Sequence, residues 1–322
     1  MRRLFTILAC ALFMTACAQK QQTTCQEGGQ TTVRWIEDKP GPNIREHSLY
    51  PSVPDTLWKT LGLEDGVPTS MSCILMRTGG HNILIDTGLG APFSQLQKEL
   101  KAEGLRPGDI DMVLLTHLHN DHIGGMMADG KPVFTNATVY INRLETEAWL
   151  AMDSQKNASQ RAMLAAYNDR LRLFEGGDSI EGGIKSIAAY GHTPGHTMFQ
   201  KDSLLIIGDL IHGAALQVRY PEYCAYYDMD QEKAAAVRRQ TLDYARQNNL
   251  EVYGMHIPAP GRLTLSQGTL IDIPIEIHDQ GYGTRYRAIQ GDMADCRHGD
   301  DGCQRMWLWR MGPPSRRGRL HA

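Results

Sequence analysis

The sequence predicts an α/β fold in which two β-sheets pack against each other and helices cover their outer faces. Along the chain, a group of strand-like segments is followed by helical segments, and this order occurs twice. The run SLLIIGD has a continuous apolar core, which is typical of a strand buried on both faces. With 322 residues, of which 42% are hydrophobic, the chain is long enough for one large domain or two ordinary ones.

In the first half, strands are predicted in TTVRWI, MSCILMRT, HNILIDT, DMVLLTH and ATVYIN. The second and third of these are joined through Gly79 and Gly80, which indicates a hairpin. The Pro-rich stretch 39–54 is expected to run over the surface. Helices are predicted in APFSQLQKELKAEG, RLETEAWLAM and ASQRAMLAAYNDRLRLF.

In the second half, strands are predicted in GIKSIAAYG, SLLIIGD and LEVYGMH. The segment MDQEKAAAVRRQTLDYARQNN is the clearest helix of the chain, with a polar last turn that ends in two asparagines. Two packed sheets with helices outside satisfy both halves.

Residues 1–17 are predicted to be a lipoprotein signal peptide. Arg2 and Arg3 precede an apolar run, Leu4 to Ala16, that is too short to span a bilayer. A small residue directly before Cys17 resembles a bacterial lipobox, so we expect Cys17 to carry the lipid and residues 18–30 to form a flexible tether. Such a protein is exported and anchored to the membrane rather than spanning it. An ordinary cleaved signal peptide is the alternative.

The main folded domain is predicted to extend over 31–286, followed by a basic tail, 287–322, that is expected to be disordered or atypical. The formal net charge of −3 implies no bulk attraction to nucleic acid. Apart from Cys10 and Cys17, an odd number of cysteines remains, and the sequence does not choose a disulfide pairing.

The segment THLHNDHIGG contains three histidines and one aspartate within a few residues of a strand end. A structural zinc site is usually closed by four protein ligands and often uses cysteine. No cysteine lies near this segment in the sequence, so a structural zinc site is not favoured. Adjacent Asp121 and His122 point in different directions from His117 and His119, so the natural arrangement is two ions, one for each pair.

Further ligands are expected from other strand ends and Gly-rich turns, because sites are usually built on such loops. The chain offers His192 and His196 in GHTPGHTMF, Asp209 and His212 in IIGDLIHG, and His256 in YGMHIP.

The motif H-x-H-x-D-H, the later histidine of TPGHT, the aspartate of GD and a late histidine together resemble the metallo-β-lactamase superfamily over about residues 33–286. The resemblance implies a metallo-β-lactamase fold, an αββα sandwich of two mixed β-sheets flanked by helices. It also implies two divalent metal ions, and the His-rich ligands favour zinc. Seven metal ligands are implied by position: His117, His119, Asp121, His122, His196, Asp209 and His256.

By the same resemblance, His117, His119 and His196 bind the first ion, and Asp121, His122 and His256 bind the second. Asp209 bridges both ions, and Asp86 supports the ligand loop from behind. His192 and His212 match no ligand position, so structural or supporting roles are expected for them.

The implied activity is hydrolysis by a hydroxide shared between the two ions, with Asp121 and Asp209 as catalytic carboxylates. The arrangement is most similar to the branch of methyl parathion hydrolase and N-acyl-homoserine lactonases, which predicts a small-molecule ester, lactone or phosphotriester as substrate. The alternatives are a β-lactamase-like amide hydrolase and a non-catalytic, metal-binding surface lipoprotein. Tyr220, Tyr223 and Tyr226 are candidates for a substrate pocket, or else they pack their loop against the long helix.

Overall fold

A computed structural model describes residues 31–258, 260–266 and 269–274. The predictions for the signal peptide 1–17 with its lipidated Cys17, the tether 18–30 and the tail 287–322 lie outside the described residues. The same is true of the last part of the domain that the sequence predicts over 31–286.

The strands are β1 (Thr32–Glu37), β2 (Asn43–Arg45), β3 (Val67–Thr69), β4 (Ser72–Thr78), β5 (His81–Ile85), β6 (Met112–Leu114), β7 (Met127–Ala128), β8 (Lys131–Pro132), β9 (Thr138–Asn142), β10 (Leu171–Phe174), β11 (Ser179–Ile180), β12 (Ile184–Ala188), β13 (Thr197–Lys201), β14 (Leu204–Ile206), β15 (Glu251–Tyr253), β16 (Gly261–Ser266) and β17 (Thr269–Pro274). The helices are α1 (Asp55–Leu61), α2 (Leu96–Ala102), α3 (Asn120–Ile123), α4 (Arg143–Ala151), α5 (Ala158–Ala166), α6 (Ala214–Gln217) and α7 (Gln231–Gln247).

Within the described residues, two mixed sheets form the centre of the fold. The first sheet has the order β1-β4-β5-β6-β9-β10, and the second has the order β11-β12-β13-β14-β15-β16-β17. In the first sheet, β5, β6, β9 and β10 run parallel to one another, whereas β1, β4 and β5 are antiparallel neighbours. In the second, only β14 and β15 are a parallel pair.

Alternation along β4 shows how the two sheets and the helices are layered. Ile74 and Met76 are fully buried with Phe199 and Ile206 of the second sheet, and so they fill the space between the sheets. Leu75 points the other way, into a cluster with residues of α2. On the far side of the second sheet, residues of α7 pack against β14 and β15. The order is therefore helix, sheet, sheet, helix, which confirms the predicted αββα fold.

One predicted helix is wrong in its second half. The segment ASQRAMLAAYNDRLRLF is helical only over 158–166; a short 3-10 turn at 168–170 then leads into β10. The β10 strand pairs in parallel with β9, so backbone hydrogen bonds to the sheet edge outweigh the helical spacing of the side chains.

The Pro-rich stretch 39–54 also differs from the expected surface loop. It contains β2, which pairs with β3, and it buries Leu49, Tyr50 and Val53 in a cluster with Trp58. This stretch is therefore anchored to the domain, and it brings Arg45 beside the candidate site described below.

Among the described residues, none of the helices combines the length and the apolar character that crossing a bilayer requires. Cys73 and Cys224 are buried free thiols.

Candidate metal centre

The candidate site lies where loops from both sheets meet. His117 and His119 directly follow β6 of the first sheet, and α3 then carries Asp121 and His122. The second sheet supplies the rest of the site from the ends of β12, β14 and β15: His192, Asp209 and His256. Because these loops all lie at one end of the two sheets, side chains far apart in sequence converge.

The first group of side chains consists of His117, His119, His192 and Asp209, whose ligand atoms lie within 4.8 Å of one another. His119 Nδ1 is 2.9 Å from His117 Nε2 and 3.0 Å from His192 Nε2, and the two Nε2 atoms are 3.2 Å apart. Three imidazole nitrogens that face one another at such distances cannot all be protonated donors. Their arrangement fits a shared divalent cation, since zinc takes imidazole and carboxylate ligands.

The second group consists of Asp121, His122, Asp209 and His256, with ligand atoms again within 4.8 Å. Asp209 Oδ1 lies 3.0 Å from His122 Nε2, while its Oδ2 lies 3.1 Å from His256 Nε2. Asp121 Oδ2 is 3.4 Å from His256 Nε2. Asp209 is therefore common to both groups, which is the position predicted for a bridging carboxylate.

Unsatisfied polar atoms support the same interpretation. Within the described residues, buried His122 Nε2 and Asp209 Oδ1 have no hydrogen-bond partner, although they face each other. Buried polar groups nearly always find partners, so orphaned atoms at the centre of a His and Asp cluster fit missing ligand bonds. The donor set of each group, imidazole with carboxylate, suits zinc or a similar divalent ion.

The histidines of the first group favour the neutral form. Burial, together with neighbouring histidines, holds the pKa of His117 well below its ordinary value. Burial and then His192 lower the pKa of His119 to about 3. A neutral imidazole is the form that binds a metal ion, so these two rings need not lose a proton first.

The histidines of the second group favour the charged form. Burial alone would lower the pKa values of His122 and His256, but the surrounding carboxylates outweigh this effect. They raise the pKa of His122 well above its usual value and the pKa of His256 to about 9. Burial opposes ionisation of Asp209, yet His122 and His256 hold its pKa well below the ordinary value. The carboxylate is thus anionic, as a bridging ligand must be.

His196, predicted as a ligand of the first ion, lies outside both groups in this structure. Its Nε2 accepts the Asp209 backbone N–H at 3.0 Å, and its Nδ1 lies 3.1 Å from the Ala189 carbonyl oxygen. Burial and His192 lower its pKa to about 3, in agreement with a neutral ring that donates from Nδ1 and accepts at Nε2. Gly208 (φ +52°) allows this approach, because a Cβ there would lie 2.6 Å from His196 Nε2.

His192, for which a structural role was expected, takes the position predicted for His196. Its Nδ1 is 2.8 Å from Asp228 Oδ1, and Asp228 Oδ2 accepts a hydrogen bond from Arg238 Nη2 at 3.0 Å. Both residues of this ion pair are buried, and Arg238 also donates to the carbonyl oxygens of Leu210 and Pro221. A carboxylate on the far nitrogen fixes which ring nitrogen faces the metal. No motif in the sequence indicated Asp228 or Arg238.

Asp86 lies where the sequence placed it, behind the ligand loop. Its Oδ2 is 2.6 Å from His122 Nδ1, and its carboxylate accepts hydrogen bonds from the Thr116 amide and hydroxyl at 2.8 and 2.7 Å. It has a positive φ of 57°, directly after β5. This conformation turns its side chain into the loop, so that Nε2 of His122 remains free for the site.

Glu145 of α4 is a supporting residue that sequence reasoning missed. It is fully buried, and its Oε1 accepts hydrogen bonds from Leu118 N (3.0 Å) and Trp149 Nε1 (2.7 Å). Its Oε2 accepts from Thr193 Oγ1 (2.7 Å) and Gly195 N (2.8 Å). One carboxylate therefore ties the loop of His117 and His119 to the loop of His192.

The tyrosines predicted to line a substrate pocket are placed differently. Tyr220 and Tyr223 pack partly buried against the Trp58 cluster, and the side chain of Tyr226 is 65% exposed. Tyr227 instead lines a cavity of about 300 Å³ together with Asp121 and Asp209. Of the tyrosines in this loop, Tyr227 is the one that lines this cavity in the structure, whereas Tyr220, Tyr223 and Tyr226 do not.

His212 lies beside the site without belonging to either of the two groups that share Asp209. It is fully buried, its Nε2 is 3.4 Å from Asp209 Oδ2, and its ring stacks on that of His256 at 5.5 Å. Burial lowers its pKa to about 4. It also forms a cluster with His192 and Asp228, but Asp228 is already engaged by His192 and Arg238.

Comparison with known families agrees with this geometry. A family model described as the metallo-beta-lactamase superfamily matches residues 66–256, which is more than half of the chain. The match contains all the residues of both groups.

Similar proteins include one named as a lactonase and one named as a hydrolase. The N-acyl homoserine lactonase of Bacillus thuringiensis is 28% identical over 147 residues, or 38% of this chain and 55% of that protein. The hydroxyacylglutathione hydrolase of Psychromonas ingrahamii is 30% identical over 131 residues, or 41% of this chain and 42% of that protein. The chain therefore spans about half the length of the curated relatives it matches.

Solved structures are similar over more of the chain. The hydrolase AbOPH of the beta lactamase superfamily superimposes with a TM-score of 0.69 and 29% identity, covering 78% of this chain and 97% of that one. AidC, a dizinc quorum-quenching lactonase, superimposes with a TM-score of 0.66 and 23% identity, covering 77% of this chain and 92% of that one. The second likeness shows the shared fold alone.

Proposed function

The chain belongs to the metallo-beta-lactamase superfamily, and on that premise we propose that it is a dinuclear-metal hydrolase. Its substrate is a small molecule, and the bond that it cleaves is an ester, a lactone or a phosphotriester. The observation that carries the proposal is the sharing of Asp209 by two complete groups of ligand side chains.

Two ions of zinc or a similar metal are expected to be held, one by His117, His119, His192 and Asp209, the other by Asp121, His122, Asp209 and His256. When bound, such a pair supplies an acidified water and a positive charge that polarises the substrate oxygen.

The residues of the chain prepare the site for this chemistry. Asp228 and Asp86 orient His192 and His122 through their outer ring nitrogens. The Ser70 carbonyl oxygen does the same for His256 Nδ1 at 2.8 Å. Side chains that are already oriented lose little freedom when they bind an ion or a substrate.

Asp121 and Tyr227 are proposed to act on the substrate itself. The Asp121 side chain is 24% exposed and lines the cavity, so its carboxylate can take the proton of the attacking water and pass it to the leaving group. Burial raises the pKa of Tyr227, which keeps its hydroxyl protonated as a donor. Among the described residues this hydroxyl has no partner, so it is free to donate to a substrate oxygen.

The test is a comparison of the purified protein with its Asp209→Asn variant. We expect two metal ions per chain by elemental analysis, and turnover of aryl esters, lactones or a paraoxon-like triester that is lost in the variant. Hydrolysis of a β-lactam amide alone would favour the amide-hydrolase alternative. A single bound ion, or no turnover of any of these classes after zinc or manganese loading, would contradict the proposal.

We further propose, from the sequence alone, that the protein is exported and anchored to a membrane by a lipid on Cys17. Incorporation of labelled palmitate into the wild-type protein, and its loss in Cys17→Ser, would support the anchor. Equal labelling of both proteins, or none of either, would contradict it.

A further inference from the structure

Arg45 is a cation beside the predicted metal site for which the proposed chemistry has no use. The cavity of about 300 Å³ that is lined by Asp121, Asp209 and His256 is also lined by Arg45. An arginine is not a metal ligand, and the proposed chemistry already assigns the donor to the substrate oxygen to Tyr227. Its presence therefore needs a separate reason.

Backbone contacts hold Arg45 in a fixed relation to the site. It lies in β2, opposite Val67 of β3 in an antiparallel two-stranded sheet. The chain continues from β3 into Ser70, whose carbonyl oxygen binds the ring of His256 and whose hydroxyl donates to Met255 and Ile257. The same short ribbon thus supports a predicted ligand and presents the arginine.

The guanidinium group of Arg45 forms no salt bridge with any of the described residues, although the carboxylates of Asp121 and Asp209 line the same cavity. Its Nε is buried without a hydrogen-bond partner. Elsewhere in the fold, buried Arg238 is paired with Asp228, and half-buried Arg77 with Glu103. A partly buried cation without a partner is costly, and this cost is offset when an anion binds.

A second cavity continues the same pattern. It has a volume of about 350 Å³ and is lined by Lys39 and Arg45, together with Thr69 and Ser70. The Lys39 amino group lies 5.8 Å from the centre of the Phe93 ring and has no ion pair among the described residues. Arg45 is therefore common to two cavities, the predicted reaction site and a cavity with two cations.

From this arrangement we infer that the substrate carries an anionic oxygen group, such as a carboxylate, apart from the bond that is cleaved. The scissile group lies in the cavity of Asp121 and Asp209, and Arg45 binds the anion with the help of Lys39. A guanidinium fork matches a carboxylate with two parallel hydrogen bonds, so Arg45 makes the larger contribution. This inference rests on the proposed hydrolytic function and narrows its substrate class.

The test compares two esters that differ in one charge: 4-nitrophenyl hydrogen adipate, with a free carboxylate, and its neutral methyl ester. The wild-type protein, loaded with zinc, is expected to have the higher kcat/KM on the charged ester. Arg45→Gln should lower the ratio of the two kcat/KM values at least about tenfold, a factor that corresponds to roughly 1.4 kcal/mol. Arg172→Gln, which removes an exposed arginine of β10 that lines neither cavity, should keep the wild-type ratio.

The outcomes separate the two proposals. If both esters are hydrolysed and Arg45→Gln leaves their ratio unchanged, the anion site is refuted and the hydrolase stands. If neither ester is hydrolysed, turnover cannot be used to test the anion site. Binding of monomethyl adipate to the wild-type protein and to Arg45→Gln is then measured by calorimetry. Binding at least about tenfold weaker in Arg45→Gln supports the anion site, and equal binding refutes it. Circular dichroism and thermal unfolding must first show that the variant is folded.

Discussion

Replacing Glu145 by glutamine is expected to loosen the candidate site from behind, because this carboxylate ties two ligand loops together. Its two oxygens accept four hydrogen bonds, from Leu118, Trp149, Thr193 and Gly195. In Glu145→Gln one oxygen remains and keeps two donors. The amide nitrogen then faces the Gly195 N–H, and two donors oppose each other.

The magnitude follows from the bonds that change. A hydrogen bond to a charged group contributes about 1.5–3 kcal/mol, and a buried N–H left without an acceptor costs about 1–3 kcal/mol. The Thr193 hydroxyl can rotate and accept from the new amide, which limits the loss. Burial raises the pKa of Glu145, so the neutral amide also avoids the cost of a buried charge. We therefore expect a net loss of about 2 kcal/mol in the free energy of unfolding.

The assay is urea unfolding of the metal-free protein, with thermal unfolding beside it. For a domain of this size, a loss of about 2 kcal/mol corresponds to a fall in Tm of about 4–8 °C. Glu147→Gln is the matched control, since Glu147 is exposed on the same helix. The reasoning is refuted if Glu145→Gln lies within about 0.5 kcal/mol of that control, the usual range for surface substitutions.

Three further predictions concern the ligands and their supports. His192→Ala should bind one ion fewer per chain by elemental analysis, whereas His196→Ala should still bind two at saturation; the reverse result would restore the assignment made from sequence. Asp228→Asn should weaken metal binding about 10–100-fold in a chelator competition and destabilise the fold, and unchanged affinity would show that the ion pair is structural only. In metal-free protein the His256 pKa of about 9 exceeds its ordinary 6.5, so its stabilising contribution is complete below pH 6.5 and is lost as the pH rises through 9. Wild-type protein should lose more stability over this window than His256→Gln, as measured by urea unfolding, and parallel pH profiles would contradict this.

The dense cluster from His117 to His122 and the layered fold could be predicted from the sequence, because both follow from local patterns. The close spacing of four potential ligand residues at a strand end suffices for the cluster. The repeated order of strands followed by helices indicates two packed sheets with helices outside, and the family resemblance implies the same αββα sandwich.

The choice between His192 and His196 could not be predicted in this way. Both histidines lie in one loop, and spacing does not reveal which ring turns into the site. The turn at Gly208 and the amide of Asp209 engage His196, and Asp228, distant in sequence, engages His192. These are tertiary contacts between residues that are distant in sequence, as are those of Glu145, Arg238 and Arg45. No local pattern in a single sequence predicts such contacts.

The candidate centre draws its side chains from both sheets, and this has a consequence for the life of the protein in the cell. A cation bound by His117 from one sheet and Asp209 from the other would link the two sheets to each other. Ligand that binds only the folded state adds stability in proportion to the logarithm of its concentration. When metal is scarce, the two sheets should separate more often by partial unfolding and expose the chain to proteases. The abundance of the protein would then follow the metal supply. Proteolytic half-lives measured with and without a chelator would reveal this dependence.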